Sequence, residues 1–257
     1  ADQNHPGGQC GLGILLLEGR GVPKKDEIEA VRLFRLSADQ NFAESQYRLG
    51  NCLLNGIGVG KNYEEAICYY KLAAEQNHCA ALCQLGICFM KGIGVEINNK
   101  LAVHYFRLSA AQNYANGQYY YGVCLRDGIG ERIDDNFAAH YFKAAADQRH
   151  AKAEFCFGRC LMKGKGVPEI SKEEAVQFYR RSSSQNDDDG HWALGVCYMK
   201  GNCVDKDSNE AYKLFKKSAE LGNPIGEYYL GVCFEKGEGV RRKLSEAVRY
   251  YQLSSEK

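Results

Sequence analysis

Glycine returns along this chain at a nearly constant interval, at Gly13, Gly50, Gly86, Gly122, Gly158, Gly195 and Gly231. The steps are 37, 36, 36, 36, 37 and 36 residues, and an alanine keeps pace at Ala30, Ala66, Ala102, Ala138, Ala175, Ala211 and Ala247. A period of this length means one supersecondary unit used repeatedly, each copy burying its apolar face only against its neighbours. From each alanine to the next glycine is always 20 residues, so both one-residue insertions fall between glycine and alanine. They lie at Val22-Pro23-Lys24-Lys25 and Val167-Pro168-Glu169-Ile170. Insertions confined to one connection mark it as a loop and the remainder as packed structure.

Each unit reads as two helices. In the second copy, Gln46, Leu49, Gly50 and Leu53 share helical spacing with Cys52 beside them, and Gly56-Ile57-Gly58-Val59 then stops the helix. Tyr63 to Gln76 follows, with Ala66, Tyr69, Tyr70, Ala73 and Ala74 forming a broad apolar face. Asn77 ends it, and Asn is the best left-handed residue after Gly. Asn4, Asn41, Asn113, Asn186 and Gly222 hold the same place, with Arg149 as the exception. Period-two alternation is missing, so the pattern predicts an all-α, antiparallel array of seven helix pairs spanning residues 1–257 as a single solenoid. Ala1-Asp2-Gln3-Asn4 matches Ala38-Asp39-Gln40-Asn41, and the chain stops at Ser255-Glu256-Lys257. Neither end carries a polar capping unit, so the expectation is a fragment of a longer protein that can self-associate through uncapped ends.

Charge excludes some partners. The 33 Lys plus Arg balance 32 Asp plus Glu, which provides no basic field for nucleic acid. No apolar run approaches 18 residues, so no membrane span is expected. The twelve cysteines sit in a chain too long to need a disulfide framework, and no Asn-x-Ser/Thr sequon occurs. These features favour a reducing, cytoplasmic location, with the ER lumen or secretion as the alternative.

The pattern Leu-Gly-x-Cys-x-x-x-Gly-x-Gly-Val, then Glu-Ala-x-x-Tyr-Tyr-x-x-Ala-Ala, resembles the Sel-1-like repeat family. Leu85-Gly86-Ile87-Cys88 through Val95 and Leu230-Gly231-Val232-Cys233 through Val240 are good copies. The resemblance implies a right-handed α-α solenoid related to tetratricopeptide arrays. It also implies an adaptor role in assembling complexes, as in protein quality control, cell-wall synthesis regulation or host–microbe contact. Some members sit beside kinase or other signalling domains. Three departures concern local geometry: Cys203 replaces a loop glycine, Glu131 a valine, and Asp187-Asp188-Asp189-Gly190-His191 the usual turn. The bacterial branch with regular disulfides alternates its cysteines differently, so its bridges do not transfer.

The residues supply little for catalysis. Cys52, Cys88, Cys124, Cys160, Cys197 and Cys233 each follow a repeat glycine by two, on the inward face, where a thiol acts as a small apolar filler. Helices packed about 9 Å apart hold such residues beyond the roughly 7 Å limit for a disulfide. Cys79, Cys83 and Cys88 share one helix without a tight CxxC, and Asp187 to Asp189 lack calcium-loop spacing, so no metal and no cofactor is expected. His104 and His140, and likewise His5, His78 and His150, repeat in step, which symmetry explains. Motifs for a nucleophile elbow, a zinc protease and a phosphate loop are all missing. Catalytic residues are therefore not assigned.

A stronger signal lies on the other face of each first helix. Three residues before the repeat glycine stand Cys10, Tyr47, Cys83, Tyr119, Phe155, Trp192 and Tyr228. Further along the same face come Arg159, then Met90, Met162 and Met199, then Lys91, Lys163, Lys200 and Lys236. Offsets of four, seven and eight keep these on one face. By resemblance to tetratricopeptide arrays, that face lines a concave groove. It predicts a partner-binding surface of Tyr47, Met90, Tyr119, Phe155, Arg159, Met162, Lys163, Trp192, Met199, Lys200, Tyr228 and Lys236 for an acidic peptide or protein segment. The competing reading is that the aromatic column packs between repeats. The expected protein is a non-enzymatic interaction scaffold, or alternatively a regulatory repeat region attached to an enzyme domain, with a small-ligand or hydrolytic site ranked last.

Overall fold

The computed structural model describes residues 5–256. The expected helical reading of Ala1–Asn4 and the end at Lys257 lie outside them. The described chain holds fourteen helices and no strand. It divides into two compact units, Ala1–Ile133 and Asp134–Lys257. The first contains α1 (Pro6–Glu18), α2 (Glu27–Asp39), α3 (Ala43–Asn55), α4 (Tyr63–Glu75), α5 (Cys79–Lys91), α6 (Asn99–Ala111) and α7 (Ala115–Asp127). The second contains α8 (Asp135–Asp147), α9 (Ala151–Lys163), α10 (Lys172–Ser184), α11 (Asp188–Lys200), α12 (Ser208–Glu220), α13 (Pro224–Lys236) and α14 (Leu244–Ser255). Within each unit every helix packs on the next in the chain, and α5 meets α7, α9 meets α11 and α11 meets α13. This is the expected helix-pair solenoid.

The recurring glycine is explained by an aromatic ring. Phe106 of α6 is fully buried and lies against α5 at Gly86, where a Cβ would come within 2.5 Å of the ring. Gly50 meets Tyr70, Gly158 meets Tyr179, Gly195 meets Phe215 and Gly231 meets Tyr251 in the same way. The glycine therefore sets how closely the two helices of a pair approach, and the ring fills the space the missing side chain leaves.

The turns obey the periodicity. Asn41, Asn77, Asn113 and Asn186 have φ of 63°, 59°, 58° and 61°, and Arg149 adopts the same left-handed conformation at 66°. Cys203, where other copies have glycine, is likewise left-handed at 56°, so the departure changes the residue and not the loop. Second helices begin on Asp26, Asn62, Asn98, Asp134 and Asp207, whose carboxylate or amide oxygens accept from a first-turn backbone N–H. His78 and His150 do the same for α5 and α9 through Nδ1, at 3.2 and 3.1 Å. The equivalent turn histidines are thus helix caps, a role that symmetry alone did not reveal.

The insertions leave the helices in register. In uninserted copies a backbone bond closes the loop, as in Asp207 N–H to Tyr198 O at 3.1 Å and Lys243 N–H to Phe234 O at 2.9 Å. In the inserted copy, Ser171 N–H reaches Leu161 O at 3.1 Å, so the additional residue swells the loop and leaves the closing bond intact.

A polar seam ties the helices together. Ser37, Ser109, Ser218 and Ser254 donate their hydroxyls to the carbonyls of Pro6, Cys79, Asp188 and Pro224, in the first helix of the same repeat, at 2.7–2.8 Å. Where the second helix has a serine here, at Ser37, Ser109, Ser182 or Ser218, the next first helix carries a small residue opposite it: Ser45, Gly117, Gly190 or Gly226. Where it has alanine, at Ala73 and Ala145, the partner position is also alanine, Ala81 and Ala153. A Cβ at Gly226 would collide with the Ser218 hydroxyl.

Candidate interaction face

In the second unit, α9, α11 and α13 present the predicted columns. Trp192 of α11 is half-buried, its indole N–H donating to Asp189 Oδ1 at 2.9 Å. Its ring meets Phe155 of α9 edge-on, with centroids 5.5 Å apart. Phe155 itself is only 4 % exposed, also touches Tyr179 at 6.0 Å, and lies beneath the Arg159 guanidinium at 5.5 Å. This corrects the expectation for Phe155: it is packing that props up Trp192, because the neighbouring repeat covers it, and it has no surface to offer a partner. Cys10 and Cys83 in the same column are also buried, at 2 % each. For these three positions the inter-repeat packing reading holds.

Tyr228 is the most open member of the column at 48 %, resting against Tyr229 at 5.2 Å and Tyr251 at 5.8 Å. Met162 and Met199 are half-buried, and Met199 packs with Trp192 and Val196 on the cluster of Phe215, Leu230 and Cys233. Lys163, Lys200 and Lys236 are exposed in the last turns of α9, α11 and α13. No carboxylate pairs with any of them among the described residues. Their position also suits the negative end of each helix dipole. In the first unit, Tyr47 stacks on His78 at 5.0 Å, Tyr119 meets Tyr120 edge-on at 5.1 Å, and Met90 is half-buried.

Beneath this face lies a buried polar column that the sequence reading missed: Gln9, Gln46, Gln118, Glu154, His191 and Glu227. Gln46 and Gln118 donate to the turn residues Asn41 and Asn113 at 3.0 and 2.9 Å. His191 Nε2 reaches Asn186 Oδ1 at 3.2 Å in the same manner, leaving Nδ1 to accept from Ser183 at 2.8 Å. The serine–histidine contact therefore accompanies the same scaffold bond that Gln46 and Gln118 make to their turns, and burial lowers the His191 pKa. Glu154, fully buried, accepts from Arg181 and Gln185 at 2.7 Å each. Burial raises its pKa, and the Arg181 guanidinium opposes that rise. The polar column recurs at the repeat period, so internal alignment of the copies could have found it.

Asp187 to Asp189 start α11. Asp187 is a buried cap accepting from Gly190 N–H at 3.0 Å and Ser182 Oγ–H at 2.9 Å. Asp188 and Asp189 accept from Asn223 at 2.9 and 3.0 Å. The three carboxylates lie within 4.8 Å of one another, but their oxygens serve the cap, Trp192 and Asn223. The ladder thiols Cys52, Cys88 and Cys197 are buried and pushed up to about 11, and Cys124 and Cys233 to about 12. Desolvation is the main cause, and such thiols are poor nucleophiles.

A helix-pair solenoid with a half-exposed aromatic and Met face defines a repeat scaffold. The family comparison makes this specific: Sel1 repeat matches at 6–42, 43–78, 79–114, 115–150, 154–187, 188–223 and 224–257, and the chain belongs to the Sel1 repeat family. The fold is similar to a Sel1 repeat protein from Oxalobacter formigenes, with a TM-score of 0.84 at 26 % identity over 97 % of both chains. It is also similar to c5321, a protective antigen of uropathogenic Escherichia coli strains with an SLR fold, at TM-score 0.77 and 30 % identity over 99 % of this chain and 54 % of that one. A 44-residue stretch is 48 % identical to chitin synthase regulatory factor 2 of Schizosaccharomyces pombe, covering 17 % of this chain and 9 % of that protein. The chain thus spans only part of these two relatives. No helix among the described residues is long and apolar enough to cross a membrane.

Proposed function

We propose that this chain is a non-catalytic interaction scaffold that holds a segment of a partner protein on the first-helix face of α9, α11 and α13. The observation carrying this reading is the coincidence of Trp192, Tyr228, Met162 and Met199 with Lys163, Lys200 and Lys236, which lack internal counter-ions. Aromatic and Met surface provides contact area, and the lysines with Arg159 select acidic side chains. In the first unit Tyr47, Met90 and Tyr119 extend the same columns. A regulatory region acting on an attached or bound enzyme is the second reading, favoured by the local identity to a chitin synthase regulatory factor. The desolvated thiols suit a reducing, cytoplasmic compartment. Affinity capture with the parent chain and with Trp192→Ala/Tyr228→Ala is the test. A partner retained equally by both, and lost by the second-helix change His104→Ala, would refute the assignment.

A further inference from the structure

The one-residue insertion at Val167-Pro168-Glu169-Ile170 has a spatial consequence apart from the first-helix face. Its loop packs on the start of α8 through Gly166 and borders a cleft of about 380 Å³. Val167 and Pro168 make an apolar floor, backed by the buried side chains of Ala139, Phe157 and Leu161. Lys143 lines one wall from α8, and Glu169 and Glu174 line the other from the loop and α10. These three are exposed, and none forms an ion pair among the described residues; the nearby pair is instead Lys165 with Asp135 at 3.9 Å. Opposite charges left facing each other across an apolar floor are complementary to an occupant carrying both signs around one apolar group. Pro168 stiffens the loop that makes the wall.

We infer that this cleft docks a peptide segment of a partner protein, one aliphatic side chain seated on Val167 and Pro168 between an acidic neighbour at Lys143 and a basic neighbour at Glu169 and Glu174. A chain fits better than a lone small molecule for two reasons. The volume is at the low end for ligand cavities. Phe137 and Ile170, adjacent in sequence to wall residues and 58 % exposed each, extend apolar surface outside the cleft. The other insertion, at Val22-Pro23-Lys24-Lys25, borders a larger cleft of about 670 Å³ lined by no counterpart of α8, and Lys24 stands where Glu169 does, so it should reject the same peptide.

Titration of the ¹⁵N-labelled chain with acetyl-Gly-Glu-Leu-Lys-Gly-amide and acetyl-Gly-Lys-Leu-Glu-Gly-amide, followed by NMR, tests this directly. Amides of residues 139–143 and 166–169 should shift saturably with at least one peptide. Replacing Leu by Ala should weaken binding about tenfold, and Lys143→Glu about fivefold. Deleting Pro168 restores the loop length of the other copies and should abolish the shifts; if that variant unfolds, Glu169→Lys, an exposed change, replaces it and should weaken binding similarly. Absence of saturable shifts, shifts indifferent to Leu→Ala or Lys143→Glu, or shifts at the Trp192 indole or residues 22–28 instead would each overturn the proposal.

Discussion

Trp192 is fixed from two directions, by Asp189 on its N–H and by Phe155 on its ring. A fixed aromatic loses little entropy on binding, which is what makes such residues interface anchors. Trp192→Ala should therefore weaken partner binding by about 2 kcal/mol or more. Lys200→Ala, at a solvated rim, should cost less than about 1 kcal/mol and lose even that at high salt. Calorimetric titration of the captured partner at two ionic strengths measures both, and equal losses from the two variants would sink the hierarchy. The same spacing that placed Trp192 placed Phe155 beside it, yet one is half-open and the other buried. Column membership follows from the helical period, whereas exposure depends on how the next repeat's side chain lies over it, which no spacing encodes. His150 shows a similar gap between position and role. Its Nδ1 caps α9 as an acceptor, and burial lowers its pKa below the ordinary 6.5. A depressed value favours the neutral form in the fold, so this contribution is complete above about pH 6.5 and is lost as pH falls through the folded value. An imidazolium there would also oppose the helix dipole. Thermal melts should show a stability drop toward about pH 5.5 that is reduced in His150→Asn, which caps without titrating. Parallel pH profiles for the two proteins would exclude this cap as the cause.

Between helices, shape pairing decides the seam. Ser218 and Gly226 occupy one volume between them, as do Ala73 and Ala81 elsewhere in the chain. Gly226→Ala should destabilise by about 2 kcal/mol, since overpacking outweighs the gain in helix propensity. Ser218→Ala alone loses one hydroxyl bond and should cost about 1 kcal/mol. The double variant recreates the alanine pairing and should be more stable than Gly226→Ala alone, a coupling that denaturant unfolding of all four proteins measures. Additive losses would mean that the pairing carries no energy. Element boundaries were legible from sequence: the stop at Gly56 matches the end of α3 at Asn55, Tyr63 to Gln76 matches α4 to within one residue, and the insertions were read as loops. The cleft beside Pro168 was not legible, because a longer loop could equally have shifted α10. Only the conserved closing bond, Ser171 to Leu161, shows that the loop swells instead.

At the scale of the whole chain, thiol reactivity reports the burial pattern. Cys68 and Cys203 are exposed, while Cys52, Cys88, Cys124, Cys197 and Cys233 are buried with raised pKa values. A thiol reagent under native conditions should label the exposed pair quickly and the ladder slowly, and denaturation without reductant should release nearly twelve. Fewer than about eight would mean that several are bridged, against the geometry of the ladder. The sequence by itself determined the architecture: a strict glycine–alanine period permits only a repeated helix pair, because each copy needs the same neighbour contact to bury its apolar face. It also determined which residues share the candidate face, since helical spacing is a local property. Tertiary structure alone decided which of those side chains remain open. Phe155 is covered from the following repeat and Lys143 faces Glu169 across a loop, and both arrangements join residues 26 or more positions apart, whose meeting is set by packing and not by local period.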